Sequence, residues 1–335
     1  MGSAIDSFDE SCLDAFIESP LHERDGIGVA MVAGGLDGVS GRNTNIAELY
    51  DSQLGVWGRV SNMVYPQDGS AGCTVKDTHL VVGGASAHLP GDPPIPASPN
   101  VRVPQAYNYR QDTWEFKASQ VYGSEWVTYD NRMSAIGSKA YYTGFGSLFG
   151  DPPTYNYHAY AYDPVADDWT SLAELQYPHR WYHASVGWEG DLYVCGGYNQ
   201  DAYPNRLFDC DKYSVALDSW SSMSNMLTRR QGHTASKAPT GLLMSGGVRQ
   251  SGNISKMADL LDIPADTWTG ATDLPSKRMD HGASTVDNKP HTFGGFSGQY
   301  LRSVVWYNLA TAAWVAGTIM NTPKRIDVTA GSQGE

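Results

Sequence analysis

The most constraining feature of this 335-residue chain is a diglycine that recurs along its length. Five copies are complete and one is degenerate, namely Gly34-Gly35, Gly83-Gly84, Gly144-Phe145-Gly146, Gly196-Gly197, Gly246-Gly247 and Gly294-Gly295. A short apolar run, typical of a β-strand, precedes most copies, as in DLYVCGG and GLLMSGG. Glycine at a strand end permits a left-handed backbone and close approach of a neighbouring chain segment. Self-similarity at a nearly fixed period indicates a repeat architecture.

A second signature follows each diglycine, an aromatic residue or leucine placed seven positions before a tryptophan. The six pairs are Tyr50 and Trp57, Tyr107 and Trp114, Tyr162 and Trp169, Tyr213 and Trp220, Leu261 and Trp268, and Tyr307 and Trp314. Runs rich in Val, Tyr, Trp and Thr, separated by Gly, Asn and Asp, predict short strands joined by hairpins. We expect each indole to fill the wedge between neighbouring sheets, a burial worth roughly 2–3 kcal/mol.

Together, the diglycine, the aromatic residue and the tryptophan resemble the Kelch repeat, and the match covers nearly all of residues 26–330. The resemblance implies an all-β fold, a six-bladed Kelch-type β-propeller with four-stranded antiparallel blades. We therefore predict two parts: an acidic N-terminal segment at residues 1–24 and a single propeller domain at residues 25–335.

The two ends of the propeller sequence predict how the ring closes. The C-terminal string PKRIDVTAGS resembles PSKRMDHGAS at residues 275–284, which begins an earlier repeat. The first repeat has no comparable Arg-bearing first strand of its own. We therefore predict that residues from about 325 to 332 supply the inner strand of blade one, which removes exposed sheet edges.

Residues 1–24 are predicted to lie outside the ring. Leu13, Phe16 and Ile17 have the spacing of a short amphipathic helix with an acidic opposite side, and Pro20 would end it. Two interpretations are open. The segment is either a strap packed on the propeller or a docking peptide for a partner, including other subunits of a large assembly.

Long loops define one candidate binding face. Loops from the second to the third strand share a face with loops between blades, because direction alternates strand by strand. On this face, residues 86–104 form the longest insertion, and residues 147–157 and 198–208 extend blades three and four. Long loops on a rigid scaffold usually carry binding contacts, and the alternative is solvated decoration.

Basic residues recur at nearly constant distances after the blade tryptophans, and we predict that they line the central channel. This basic crescent comprises Arg180, His183, Arg230, His233, Arg278, His281 and Arg325. It would favour a carboxylate or an acidic peptide. Similarly placed arginines bind acidic peptides in the BTB-Kelch adaptors that the repeats resemble. The alternative is that each arginine bonds neighbouring backbone carbonyls.

Composition excludes several classes of protein. The net charge of −13 repels nucleic acid and anionic membranes, and no apolar run is long enough to span a bilayer. The N-terminus lacks the features of a secretory signal. We therefore expect a soluble protein that binds no nucleic acid and inserts into no membrane, with its compartment left open.

The four cysteines show no metal-ligand spacing, so neither a metal nor another cofactor is expected. A bridge between Cys195 and Cys210 is left open.

The sequence favours a non-enzymatic binding module that uses the loop face to recognise a protein or a glycan. One alternative is a structural or adhesion component of a large assembly, such as a virion or surface appendage. Another is a sugar-acid mutarotase or lyase-like enzyme, because the sialic-acid mutarotases are Kelch propellers of similar size. No P-loop, G-x-S-x-G or dinucleotide fingerprint occurs, so no catalytic residue is predicted.

Overall fold

The computed structural model describes residues 28–37, 41–84, 103–117, 126–127, 131–148, 155–175, 180–199, 201–321 and 329–333. These residues form strands, turns and irregular loops, with no helix among them. The predicted acidic segment at residues 1–24 lies outside the described residues, as do Arg325 and most of the 86–104 insertion.

The chain forms 25 strands within the described residues. In chain order they are β1 (Val29–Ala33), β2 (Ala47–Asp51), β3 (Val56–Arg59), β4 (Ala71–Val75), β5 (Thr78–Val82), β6 (Gln105–Asn108), β7 (Thr113–Phe116), β8 (Trp126–Val127), β9 (Arg132–Ile136), β10 (Lys139–Leu148), β11 (Tyr155–Asp163), β12 (Asp168–Ser171), β13 (Ala184–Trp188), β14 (Asp191–Tyr198), β15 (Arg206–Ser214), β16 (Ser219–Met223), β17 (Arg230–Ala238), β18 (Gly241–Arg249), β19 (Ala258–Asp262), β20 (Thr267–Ala271), β21 (Gly282–Val286), β22 (Lys289–Phe293), β23 (Val304–Asn308), β24 (Ala313–Ala316) and β25 (Thr329–Gln333).

These strands make six antiparallel sheets, one for each predicted repeat. Five sheets have four strands. Four of these sheets have their strands in sequential order, as in β13-β14-β15-β16 of blade four, and blade one has the order β25-β1-β2-β3. Blade three has an additional short strand, β8, which pairs with the extended end of β10. The innermost strands β4, β9, β13, β17, β21 and β25 contact one another in a closed cycle. The predicted six-bladed β-propeller is confirmed.

Ring closure joins the two ends of the described chain in blade one. Strand β25 pairs antiparallel with β1, from Val29 opposite Gln333 to Ala33 opposite Thr329. All five residues of β1 are buried, so the closing strand completes an interior sheet rather than decorating an edge. The predicted closure by the C-terminal strand is therefore confirmed, with the strand beginning at Thr329.

The hydrophobic core is divided among the blade interfaces. Each of six clusters within the described residues joins side chains of two neighbouring blades. Every blade tryptophan contacts the cluster shared with the preceding blade; Trp57, for example, packs with Phe293 of blade six. The expectation that the indoles fill the wedges between blades is confirmed.

The tryptophans also bond to the preceding blade. The indole N–H donates to a backbone carbonyl just beyond that blade's outer strand. The pairs given by the structure are Trp57 with Thr318 (3.0 Å), Trp114 with Ser61 (2.7 Å), Trp220 with Ala173 (2.9 Å), Trp268 with Ser224 (2.9 Å) and Trp314 with Thr272 (2.7 Å). Each of these indole rings therefore packs against the preceding blade, and its N–H group is hydrogen-bonded to the same blade.

An aspartate before the tryptophan adds a second link between blades, which the sequence analysis did not identify. Asp218 has a left-handed backbone (φ 46°) and accepts hydrogen bonds from the Tyr213 hydroxyl (2.6 Å) and the Ala173 amide of blade three (2.9 Å). Aspartate tolerates this conformation and bonds readily to backbone amides. The outer hairpin of one blade is therefore tied to its neighbour.

The diglycine of blade four shows why the motif recurs. Gly196 and Gly197 have φ values of 63° and 107°. A Cβ on Gly196 would lie 2.6 Å from Cε1 of His233 in the next blade, and one on Gly197 would lie 3.1 Å from Cβ of His183. Both positions therefore require glycine for backbone conformation and for space. In degenerate blade three, Gly144 has no positive φ, and β10 continues through it.

The cysteine bridge left open by the sequence is present. Cys195 on β14 and Cys210 on β15 are register partners and form a disulfide. Cys73 is a buried thiol, and burial raises its pKa.

Candidate functional site

The candidate face can be built in atomic detail at blades four and five. The loop from β14 to β15 is held by its own polar groups, since the Asn199 amide donates to the Asn205 carbonyl (2.7 Å) and the Asp201 amide donates to Oδ1 of Asn199 (2.9 Å). The loop's centre carries Tyr203, which is 95% exposed. The chain therefore presents an exposed aromatic side chain on an internally bonded loop.

Blade five braces this loop from the side. Oε1 of Gln250 accepts from the Arg206 amide (3.1 Å), and Nε2 of Gln250 donates to Oδ1 of Asn205 (3.3 Å). The Arg229 guanidinium lies 3.7 Å from the centroid of the Phe208 ring and also donates to the Arg206 carbonyl (3.3 Å). Bonds from two blades therefore limit the loop's freedom, which lowers the entropy cost of binding.

The three described arginines of the basic crescent are buried. Arg180, Arg230 and Arg278 have 0–3% of their surface exposed. Nη1 of Arg180 donates to the Asp209 carbonyl (3.0 Å), that of Arg230 to the Met257 carbonyl (3.2 Å) and that of Arg278 to the Ser303 carbonyl (3.3 Å). These are the contacts of the second interpretation, in which the arginines bond backbone carbonyls. Ligand binding by them stays a prediction.

Two of these arginines also have a buried carboxylate partner. Arg180 pairs with Asp211 at 2.9 Å, and Arg230 pairs with Asp259. Burial raises the pKa of both carboxyl groups, and the paired guanidinium opposes that effect.

Blade six lacks the equivalent carboxylate. The sheet registers place Val305 at the position of Asp211 and Asp259. Arg278 instead bonds to the hydroxyls of Ser276 (3.2 Å) and Ser303 (3.1 Å). Burial lowers the pKa of Arg278 to about 10. Three equivalent arginines are therefore held by two different sets of groups.

The three crescent histidines are buried between blades. Nε2 of His183 lies 2.9 Å from the Thr143 hydroxyl, and Nε2 of His281 lies 3.3 Å from the Ser245 hydroxyl. Both hydroxyls belong to the preceding blade. Burial lowers the pKa of His183, His233 and His281 well below its usual value, and the positive charge of Arg132 contributes in each case.

His233 differs from the other two histidines because no hydroxyl group in the described part of the chain bonds to its ring. Thr143 and Ser245 immediately precede the first glycine of their blades, and Cys195 occupies that position in blade four. Because Cys195 is in the disulfide, it has no hydroxyl or thiol proton to share. Neither ring nitrogen of His233 has a hydrogen-bond partner among the described residues.

Two adjoining cavities follow the propeller axis. The larger, about 590 Å³, opens at the hairpins between first and second strands, where Lys76 and Glu189 are exposed. The smaller, about 80 Å³, lies toward the candidate loop face and shares wall residues with the larger one, including Met133, Ser185 and Ala235. The central channel is therefore open to solvent at the end opposite the long loops.

Arg132 is the site residue that the sequence analysis did not identify. It begins β9 and lines the smaller cavity. Aligning the inner strands would have shown a single arginine at a position of small residues. This alignment is not evident from the sequence, because blade three lacks the Arg-x-x-His string that marks the inner strands of blades four, five and six.

Two further classes of site can be assessed within the described ranges. No three His, Cys, Asp or Glu side chains there are arranged to hold a metal ion. No helix in the same part of the chain is long and apolar enough to cross a membrane.

Comparison with known proteins identifies the repeat. A family model of the Kelch motif matches residues 179–227, which include all four strands of blade four. Kelch-like protein 35 of Mus musculus is 24% identical over 273 residues, 80% of this chain and 42% of that protein. Alpha-scruin of Limulus polyphemus is 25% identical over 173 residues, 49% of this chain and 19% of that protein. The chain thus spans less than half the length of these relatives.

A solved structure has the same architecture. The structure described as that of YjhT superposes with a TM-score of 0.68, covering 88% of this chain and 99% of that one at 13% identity. This likeness concerns the fold alone. The six diglycine and tryptophan blades, the Kelch motif match and the sequence relatives together support a Kelch-repeat family for this chain, and its six sheets form a β-propeller.

Proposed function

We propose that the protein is a non-enzymatic interaction module that binds a protein partner through its blade-four and blade-five loops. The observation that carries the proposal is Tyr203, a tyrosine that is 95% exposed on a loop braced by two blades. Kelch-like proteins among its sequence relatives support an interaction role.

The side chains around Tyr203 suit a protein rather than a small molecule. Arg229 lies in the loop between blades four and five, and Leu227 in the same loop is 51% exposed. Tyrosine and arginine are the residue types enriched at the energetic centres of protein interfaces, and adjacent aliphatic side chains exclude water. A rigid tyrosine contributes a large contact area and loses little conformational freedom on binding.

The test compares two exposed side chains at opposite ends of the propeller. The immobilised wild-type protein is used to capture a partner from an extract of its source cells, and the identified partner is then purified and titrated. We expect Tyr203→Ala to raise the Kd at least about tenfold, equivalent to about 1.4 kcal/mol. Val165→Ala, at an 83% exposed site on an outer hairpin, is the matched control and should leave the Kd unchanged.

Equal binding by wild type and Tyr203→Ala would overturn the proposed site. Weakening by Val165→Ala alone would place the interface at the hairpin end. Loss of capture after enzymatic removal of sugars from the extract would indicate a glycan as the recognised group instead of a protein surface.

A further inference from the structure

The central channel contains one arginine at a position where the other described inner-strand side chains are small. Sheet registers place Arg132 opposite Thr143, the residue that precedes the first glycine of blade three. The equivalent residues in other blades are Ala71, Ala184, Thr234 and Gly282. Four blades thus leave space at this level of the channel.

The cavity at this level brings the blades together around Arg132. All five of these residues line the same space of about 80 Å³. The charge of Arg132 acts on His183, His233 and His281, which belong to three other blades. Its guanidinium therefore lies close enough to the axis to influence half of the ring.

The charge of Arg132 is not balanced by the described part of the chain. No carboxylate there lies within ion-pair distance of it, and its hydrogen bond is to the adjacent Asn131 carbonyl (2.9 Å). The side chain is half-buried. Removing a cation from water without a counter-charge is unfavourable, so a bound anion at this position would stabilise the fold.

A second polar group in the cavity lacks a partner. Ser70 lines the same space and is 7% exposed, and its hydroxyl has no hydrogen-bond partner among the described residues. A buried hydroxyl without a partner costs free energy unless a ligand or water bonds to it. Arg132 and Ser70 thus offer a charged fork and a neutral donor to one ligand.

We propose that the central channel binds a small oxyanion, such as phosphate, sulfate or a carboxylate group, on Arg132 and Ser70. The planar guanidinium donates two parallel hydrogen bonds to such an ion. The cavity is too small for a peptide segment, and the larger cavity provides a route from solvent. Asp280 also lines the smaller cavity, near Gly232, and its negative charge limits the affinity.

Thermal unfolding in matched salts tests the site. Wild-type protein is heated in sodium phosphate, sodium sulfate or sodium acetate, with sodium chloride at equal ionic strength as the reference. At an anion concentration ten times the Kd we expect Tm to rise by about 2 °C. A rise with acetate as well as phosphate indicates recognition of carboxylates, and a rise with phosphate and sulfate alone indicates a tetrahedral oxyanion.

Variants test whether the rise in Tm comes from Arg132 and Ser70. Arg132→Met should abolish the rise in Tm, and Ser70→Ala should weaken binding several-fold by calorimetric titration with phosphate. Arg110→Met is the matched control, because Arg110 is exposed and paired with Asp77 on the surface, and it should retain the full rise.

Three results would overturn the proposal. The first is no rise in the Tm of the wild-type protein with any of the salts at an anion concentration of about 50 mM, which would place the Kd above the range of useful binding. The second is an undiminished rise in Tm in Arg132→Met, and the third is an equal loss of that rise in Arg132→Met and Arg110→Met. Should Arg132→Met not fold, Arg132→Lys keeps the charge and loses the planar fork, and undiminished phosphate binding in both it and Ser70→Ala would also refute the site. The loops around Tyr203 are untouched by these variants, so this test and the test of protein binding fail independently.

Discussion

Acid should unfold this protein through its buried histidines. All five histidines whose side chains are described are buried, namely His79, His183, His233, His281 and His291. Burial lowers the pKa of His79 to about 3 and that of His291 to about 4, and it lowers the pKa of the other three well below the usual value. In the unfolded chain each imidazole returns to a pKa near 6.5.

The sign and size of the change in unfolding free energy with pH follow from proton uptake. The unfolded chain binds protons that the folded chain does not, so stability is complete well above pH 6.5, at about pH 7.5, and falls as the pH is lowered. At pH 5.5 each histidine lowers the free energy of unfolding by about 1.4 kcal/mol, and five lower it by about 7 kcal/mol. That loss is comparable to the whole stability of a typical domain, about 5–15 kcal/mol.

Two buried carboxyl groups act in the opposite direction. The raised pKa values of Asp211 and Asp259 mean that these groups bind protons more readily in the folded chain than in the unfolded one. Their contribution stabilises the fold as the pH falls toward the acidic end of the range, and it offsets part of the histidine effect there.

Urea unfolding followed by tryptophan fluorescence at pH 7.5, 6.5, 5.5 and 5.0 measures this dependence. The slope of the unfolding free energy against pH below 6 should correspond to an uptake of about five protons. His281→Gln should reduce the uptake by one, whatever its effect on absolute stability. A free energy of unfolding that changes by less than about 1 kcal/mol between pH 7.5 and 5.5 would refute the reasoning.

Three further perturbations test the packing. Trp57→Ala should lower the free energy of unfolding by about 3–5 kcal/mol, and Trp268→Ala, at a partly exposed indole, should lower it less, both measured by urea unfolding. Asp259→Ala leaves Arg230 buried without its carboxylate and should cost about 3–5 kcal/mol, whereas Asp273→Ala, in a surface pair, should cost less than about 1 kcal/mol. Deleting residues 329–335 should lower Tm sharply, and an unchanged Tm would contradict ring closure by β25.

Much of the fold was predictable because its determinants recur. The diglycine marks the point where β14 meets the inner strands of two blades, and the tryptophan marks each blade interface. These constraints are local and steric, so they leave a fixed pattern in the chain. Ring closure was predictable for the same reason, since β25 comes from a string that resembles the start of blade six.

The binding site was less predictable because recurrence does not reveal the direction of a side chain. Arg180 and Arg230 recur as a ligand-binding set would, and each also pairs with a buried carboxylate, Asp211 and Asp259 respectively. Those carboxylates lie 31 and 29 residues later, a spacing that would have favoured the structural interpretation. Arg132 was missed for the opposite reason, because a residue that occurs once has no repeat to mark it.

The pairing of β25 with β1 also affects synthesis of the protein. Val29–Ala33 leave the ribosome before every other described strand, and the strand that completes their sheet is translated last of the described residues. Until then the nascent chain carries an apolar edge able to pair with other strands, including those of another nascent copy. The order of the blades therefore leaves this edge without its neighbouring strand until β25 has been translated.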